Sequence, residues 1–242
     1  MKETIYTIPL NEAFDTDCEC AICEFMRKEE INLVNSTMGA SMMEPEFREI
    51  TNKMGFCKIH QKMVLNTDSK LSVALVYHTH MTNITDILNN IQKSTEADTK
   101  KSLFKKSDFK TELSQALETL NETNTSCAIC KRLSDTEERF IDNLIYLYKK
   151  EKDFKEKVLN SKGFCLVHYK ALLSRAIKIM SENDLIEFVK DISDIQNKNF
   201  IRLTDEVEYF SSLFDYKNKG KDPKESRTAL ARSSEKLISF IN

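Results

Sequence analysis

The sequence predicts an all-α protein: two similar multi-helix halves packed as one compact unit, followed by a C-terminal helical extension. Three observations carry that prediction. Four Gly and three Pro in 242 residues are too few for a fold built on tight β-turns. Apolar residues recur at three- and four-residue intervals over long stretches, the period of a helix with one buried face. One set of motifs also occurs twice in the same order. With 40% hydrophobic residues, the chain has enough apolar material for a substantial core.

The opening Ile5-Tyr6-Thr7-Ile8-Pro9-Leu10 reads as an extended segment. A helix is expected near Cys20–Met38, a turn around Gly39–Pro45, and a short helix before Gly55. Residues 71–91 predict a further helix, with Leu71, Leu75, His78, Met81, Leu88 and Ile91 as its apolar stripe. A polar connection follows at 93–108. The helical pattern is strongest over 127–150, where Leu133, Phe140, Ile141, Leu144, Ile145 and Tyr148 share a face and Ser126 is placed to cap the start. Gly163 marks a turn before a helix over 164–180, with Leu172, Leu173, Ala176, Ile177 and Met180 on its apolar side. Residues 184–214 read as one long helix or two joined ones. A tail helix over 225–241 follows the turn at Gly220 and Pro223.

The duplication is specific. Cys20-Ala21-Ile22-Cys23 recurs as Cys127-Ala128-Ile129-Cys130, and Gly55-Phe56-Cys57 with His60 recurs as Gly163-Phe164-Cys165 with His168. Eight identities repeat, at offsets of 107 and 108 residues. Softer matches support it: Glu46-Phe47-Arg48 corresponds to Asp153-Phe154-Lys155, and Val64-Leu65 to Leu172-Leu173. The resulting organisation is a first repeat over 1–92, the connection 93–108, a second repeat over 109–215, and a C-terminal loop and helix over 216–242.

Seven cysteines without a secretory leader argue against a secreted disulfide framework and point to metal or redox chemistry in a reducing compartment. Residues three apart on a helix face the same way, so each Cys pair directs two sulfurs at one point, and each Cys-x-x-His adds a sulfur and an imidazole. Two metal-ligand sets follow, Cys20, Cys23, Cys57, His60 and Cys127, Cys130, Cys165, His168, each drawn from one repeat. Three thiolates and a neutral His suit tetrahedral Zn2+, two ions per chain, with a local charge of −1 that amides or a Lys would offset. A filled shell leaves no place for a substrate water, so the expected role is structural and no catalytic residue is assigned. Packed core residues, an iron–sulfur cluster, or thiol–disulfide exchange at the Cys-x-x-Cys pairs are the competing readings.

Cys18 has no counterpart, since Thr125 stands at its equivalent, and reads as an incidental cysteine before a ligand or a reactive thiol. His78 and His80 read as packing or hydrogen-bonding groups rather than a catalytic pair, because residues two apart diverge on a helix. The basic runs Lys100-Lys101, Lys105-Lys106 and 217–224 fit solvated connections. The formal charge of −2 gives no drive toward nonspecific nucleic-acid binding. No run of about 20 apolar residues spans a bilayer, and no phosphate loop, metalloprotease helix or nucleophile elbow is present. Whether the protein is an enzyme is left open by the residues.

With its CAIC and GFCxxH elements at Cys20–His60 and Cys127–His168, the chain resembles an uncharacterised bacterial family of Cys-rich helical proteins over most of residues 5–215. The resemblance implies a cytoplasmic location and brings no activity. Together these observations lead to the expectation of a zinc-stabilised helical scaffold for interaction or regulation with a protein partner, or else a thiol redox enzyme or sensor.

Overall fold

The computed structural model describes residues 7–99 and 109–239, and every regular element among them is helical. The α-helices are α1 (Ile8–Asp15), α2 (Ala21–Met38), α3 (Pro45–Met54), α4 (Lys58–Leu65), α5 (Lys70–Thr99), α6 (Phe109–Thr125), α7 (Ala128–Lys150), α8 (Lys152–Leu159), α9 (Leu166–Ile179), α10 (Glu182–Ser212) and α11 (Ala229–Ile238). Short 3-10 turns lie at Ala40–Met43, Tyr216–Asn218 and Lys224–Thr228. Pro9 and Pro45 stand in the first turns of α1 and α3, where a missing N–H costs nothing, and Pro223 precedes a 3-10 turn. The scarce breakers therefore sit at element starts, and the long helices run unbroken.

The repeat is visible as matching elements: α2, α3 and α4 in the first copy correspond to α7, α8 and α9 in the second. Phe47 and Phe154, paired by the sequence, are both buried on the short middle helix of their copy. The C-terminal extension adds α11.

Several expectations need correction. The opening is not extended over Ile8–Leu10 but helical: Leu10 and Ala13 are buried on one face of α1, and the Asn11 N–H bonds Thr7 O at 3.1 Å. Ile5 and Tyr6 lie outside the described residues, as do 100–108 with their lysines, while 93–99 continue α5 as helix. The anticipated stripe of α5 faces outward, with Leu71 74% and Met81 65% exposed. Val73 and Val76 face inward instead, their compact β-branched side chains packing where the helix meets its neighbours. Ser126 does not cap α7; its hydroxyl donates to Met54 O at 3.1 Å. Helix α6 was not anticipated, because it buries no side chain and so lacks an apolar stripe to read. The tail helix is shorter than expected, Ala229–Ile238.

The chain divides into two compact units, one of residues up to Lys28 and from Thr136 on, the other Glu29–Asp135. Each unit takes residues from both repeats, because the division falls inside α2 and α7.

In the first unit an aromatic core holds the helices in register. Phe14 meets Phe154 edge-on at 5.3 Å, Phe25 stacks on Phe140 at 4.2 Å, and Tyr148 meets Phe188 edge-on at 4.8 Å. Such pairs contribute about 0.5–1.5 kcal/mol each beyond their buried area. Arg175 of α9 forks onto Asp142 of α7 at 2.5 and 2.7 Å. In the second unit Leu33, Val34, Met38, Phe56, Val64, Val73, Val76 and Ile129 form one apolar cluster. Asn52 at the end of α3 joins it to α5, accepting from the Thr79 hydroxyl at 2.5 Å and bonding His80 Nδ1 through its carbonyl at 2.7 Å.

Candidate metal centres

The eight repeated Cys and His residues gather into two groups of four, but not in the groups the sequence suggested. Cys20 and Cys23 meet Cys165 and His168, while Cys127 and Cys130 meet Cys57 and His60. In each group the four ligand atoms lie within 4.8 Å of one another. The grouping by repeat, Cys20–Cys23 with Cys57–His60 and Cys127–Cys130 with Cys165–His168, is corrected: each centre takes its Cys-x-x-Cys from one copy and its Cys-x-x-His from the other.

The histidine contacts show where each set closes. His60 Nε2 meets Glu30, in the middle of α2, at 3.0 Å, while its Nδ1 faces Cys127 and Cys130 of the other copy. In the second copy His168 Nε2 likewise meets Glu137 within α7, while its Nδ1 faces Cys20 and Cys23.

Local structure presents the donors. Cys57 and Cys165 occupy the N-cap positions of α4 and α9, and His60 and His168 follow three residues later in the first turn. The Cys165 sulfur accepts the His168 N–H at 3.4 Å and the Cys127 sulfur that of Cys130 at 3.5 Å, so helix-start amides already point at sulfur. Gly55 and Gly163 make the preceding turns possible with φ of +59° and +77°; a Cβ at Gly163 would lie 2.8 Å from Gln196 Oε1. Gln196 brackets this turn, accepting from Phe164 N at 3.0 Å and donating to Phe164 O at 2.8 Å.

In the first centre His168 Nδ1 lies 3.5, 3.2 and 3.2 Å from the sulfurs of Cys20, Cys23 and Cys165, and the Cys23 and Cys165 sulfurs are 3.6 Å apart. In the second, His60 Nδ1 lies 3.2, 3.3 and 3.3 Å from those of Cys57, Cys127 and Cys130, with Cys57 and Cys130 at 3.7 Å. A tetrahedral zinc with bonds of about 2.3 Å to sulfur and 2.05 Å to nitrogen has edges of about 3.8 and 3.6 Å. These separations are within a few tenths of an ångström of those edges, all four donors of each centre lie within 4.8 Å of one another, and none of the seven cysteines is in a disulfide. The residues fit such an ion in donor type, number and spacing.

Each imidazole turns its other nitrogen to a carboxylate: His60 Nε2 to Glu30 at 3.0 Å and His168 Nε2 to Glu137 at 3.6 Å. This outer partner fixes the ring and raises the basicity of Nδ1, as beside metal-bound histidines generally. In sequence Glu137 is an unspecific acidic group beside Glu138 and Glu30 has no distinguishing mark, although each stands seven residues after the second cysteine of its Cys-x-x-Cys, at the same 107-residue offset. The repeat thus extends two helical turns beyond each Cys-x-x-Cys. Glu30 is the more buried, and Glu30→Gln is expected to weaken metal binding at the second centre by about 10- to 100-fold. A competition titration against a chromogenic chelator reads that change, which Glu137→Gln should show in smaller measure.

The electrostatics favour a cation inside both cages. Burial opposes a charged His60, but the Cys127 and Cys57 sulfurs outweigh it and hold its imidazolium up to about 9. Burial likewise opposes a charged His168, yet Cys165 and Cys23 hold it up to about 10. At Cys127 the burial penalty is overcome by His60 and by two backbone N–H groups, bringing the thiol down to about 6. Hydrogen bonds from Cys20 and Cys23 hold the Cys165 thiol far below its ordinary value. The sulfurs that favour the charged imidazolium would favour a metal cation among them by the same attraction.

The extension completes the first centre. Lys236 of α11 is 1% exposed, donates to the carbonyls of Glu19 and Lys162, and stands 3.7 Å from the Glu19 carboxylate. Burial pulls its ammonium below the usual lysine range, opposed by the charges of Glu19 and Cys20. Arg202 and Arg232 also bind Glu19, at 2.6 and 3.2 Å. Ser239, just past α11, places its hydroxyl 3.3 Å from the Cys23 sulfur. Lys236→Met removes the donor to two carbonyls and a positive charge that acts on the Cys20 and Cys165 sulfurs. A loss of roughly 3 kcal/mol is expected in denaturant unfolding, the usual cost of breaking a buried charged contact.

The centres differ in access. All four residues of the first are buried, whereas in the second Cys130 is exposed and Cys57 half-buried. Cys18 belongs to neither group; its thiol is pushed up to about 11, chiefly by burial. His80 packs against Gly55 and bonds Asn52, the packing role expected of it, while His78 is exposed rather than on an apolar stripe. Among the described residues no helix is long and apolar enough to cross a membrane.

Comparison with curated proteins and with solved structures returns no match. One family match spans residues 1–242, and by it the chain belongs to DUF6062, a family of unknown function.

Proposed function

We propose that the chain is a zinc-stabilised helical scaffold that holds one Zn2+ at each centre and presents its outer helix faces to a protein partner, in an interaction or regulatory role in the cytoplasm. The crossed grouping supports this reading most directly: each ion would join a helix start of one repeat to a helix start of the other, tying together segments that the chain alone leaves apart. Three thiolates and an imidazole complete a tetrahedron, which is the pattern of a structural ion without an open position for substrate. The paired glutamates and the Lys236 contact are the outer support such sites use. Iron–sulfur ligation is a weaker fit, since the four donor atoms close to the size of a single-ion cage.

Elemental analysis of protein purified without added metal, combined with a free-thiol count, tests the proposal. Two zinc per chain are expected; a folded protein with no bound metal contradicts it. A thiol redox role is the second reading, favoured by one observation, the exposure of Cys130.

A further inference from the structure

The two centres form a matched pair with one difference, and that difference has chemical consequences. Cys23 and Cys165 of the first correspond to Cys130 and Cys57 of the second, and the sulfur separations are nearly the same, 3.6 and 3.7 Å. In the first pair both cysteines are buried, 6% and 0% exposed, with the Ser239 hydroxyl against Cys23. In the second, Cys130 is open to solvent and Cys57 is half-buried. Geometry is held constant while access changes. Among the described residues of the Glu29–Asp135 unit, no helix like α11 follows to cover the Cys130 sulfur.

We propose that Cys130 and Cys57 are a site of reversible oxidation by hydroperoxides, forming a disulfide between the two repeats that releases the metal of the second centre alone. The proposal rests on the reading of both centres as zinc sites. A hydroperoxide reaches the exposed Cys130 thiolate, transfers one oxygen to sulfur and leaves as hydroxide, or as alkoxide from an organic peroxide; Cys130 becomes a sulfenic acid. The Cys57 thiolate, in contact at 3.7 Å, attacks that sulfur and expels a second hydroxide. Two electrons pass from the two thiolates to the peroxide, one S–S bond forms, and the two anions released are neutralised by two protons from the buffer.

Closing the bond requires the sulfurs to move from 3.7 Å to about 2.05 Å. Cys57 starts a helix and Cys130 lies in the first turn of another, so small shifts of two helix ends suffice. The second centre then keeps two of its four donors, Cys127 and His60, too few to retain the ion. A thiol reductant reverses the change. The pair differs from the two Cys-x-x-Cys pairs, which share a helix start within one repeat.

The test is graded hydrogen peroxide on the full chain, following zinc release with a chromogenic chelator and mapping disulfides by non-reducing peptide mass spectrometry. One zinc equivalent should leave roughly tenfold or more faster than the other, with a Cys57–Cys130 linkage appearing in step and disappearing on reduction. Cys57→Ser should abolish the linkage and leave Cys130 to oxidise further to sulfinic acid. Equal release from both centres, or a first disulfide joining Cys127 to Cys130 or containing Cys23 or Cys165, overturns the proposal. If the purified protein carries no zinc, the scaffold reading fails by itself; the order in which Cys57–Cys130 and Cys23–Cys165 cross-link still decides the oxidation proposal.

Discussion

Stripping the metal with a strong chelator is expected to lower the thermal unfolding midpoint by about 20 °C or more and to broaden the transition. Structural zinc contributes an apparent 10 kcal/mol or more per site at neutral pH, because the unfolded chain offers no preformed cage. Whole domains are stable by only about 5–15 kcal/mol. Each kcal/mol moves the midpoint of a chain of this size by about 2–4 °C. The apolar cores do not depend on the ions, so helical structure should persist while cooperativity falls. Calorimetry with and without chelator, followed by zinc addition, measures the effect; an unchanged midpoint would assign the cysteines to packing alone.

Cys165→Ser and Cys130→Ser should behave differently although both remove one sulfur donor. Cys165 is fully buried between Cys20, Cys23 and His168, and its sulfur also accepts the His168 amide. No water can take the vacated position, and the remaining thiols stay buried beside Lys236. The variant is expected to bind one zinc and to lose the contribution of the first centre, about 10 kcal/mol at neutral pH. At the exposed Cys130 a water can serve as fourth ligand, so the second centre should still fill at high zinc, with weakened affinity and a stability loss of about 1–2 kcal/mol. Zinc stoichiometry with urea unfolding on both variants separates the two; equal losses would contradict the difference in access.

Much of this was legible in the residues. The long helices α2, α7, α9 and α10 declared themselves through apolar period and the absence of breakers, and the two Gly-Phe-Cys turns through their glycines. What the sequence concealed has physical causes. The repeat identifies Cys20, Cys23, Cys57 and His60 as a recurring set without stating whether a set closes on itself or on its twin. Only the packing of the helices decides that, and a repeat spacing does not say which helix starts meet. Glu30 and Glu137 look like ordinary solvated acids until a histidine is placed beside them. The α5 stripe differs from the expected one because packing selected the smaller branched Val73 and Val76 and left Leu71, Leu75 and Met81 facing outward. Lys236 gave no signal, since a surface lysine and a buried one are spelled alike.

The exchange of donors between repeats is tested most directly by the double variant Cys20→Ser, Cys23→Ser, reconstituted with cadmium-113 and read by cadmium-to-imidazole couplings. The account predicts that the His168 coupling disappears while that of His60, with Cys57, Cys127 and Cys130, is retained. Loss of the His60 coupling with His168 intact would show that each repeat closes its own centre, and would contradict it.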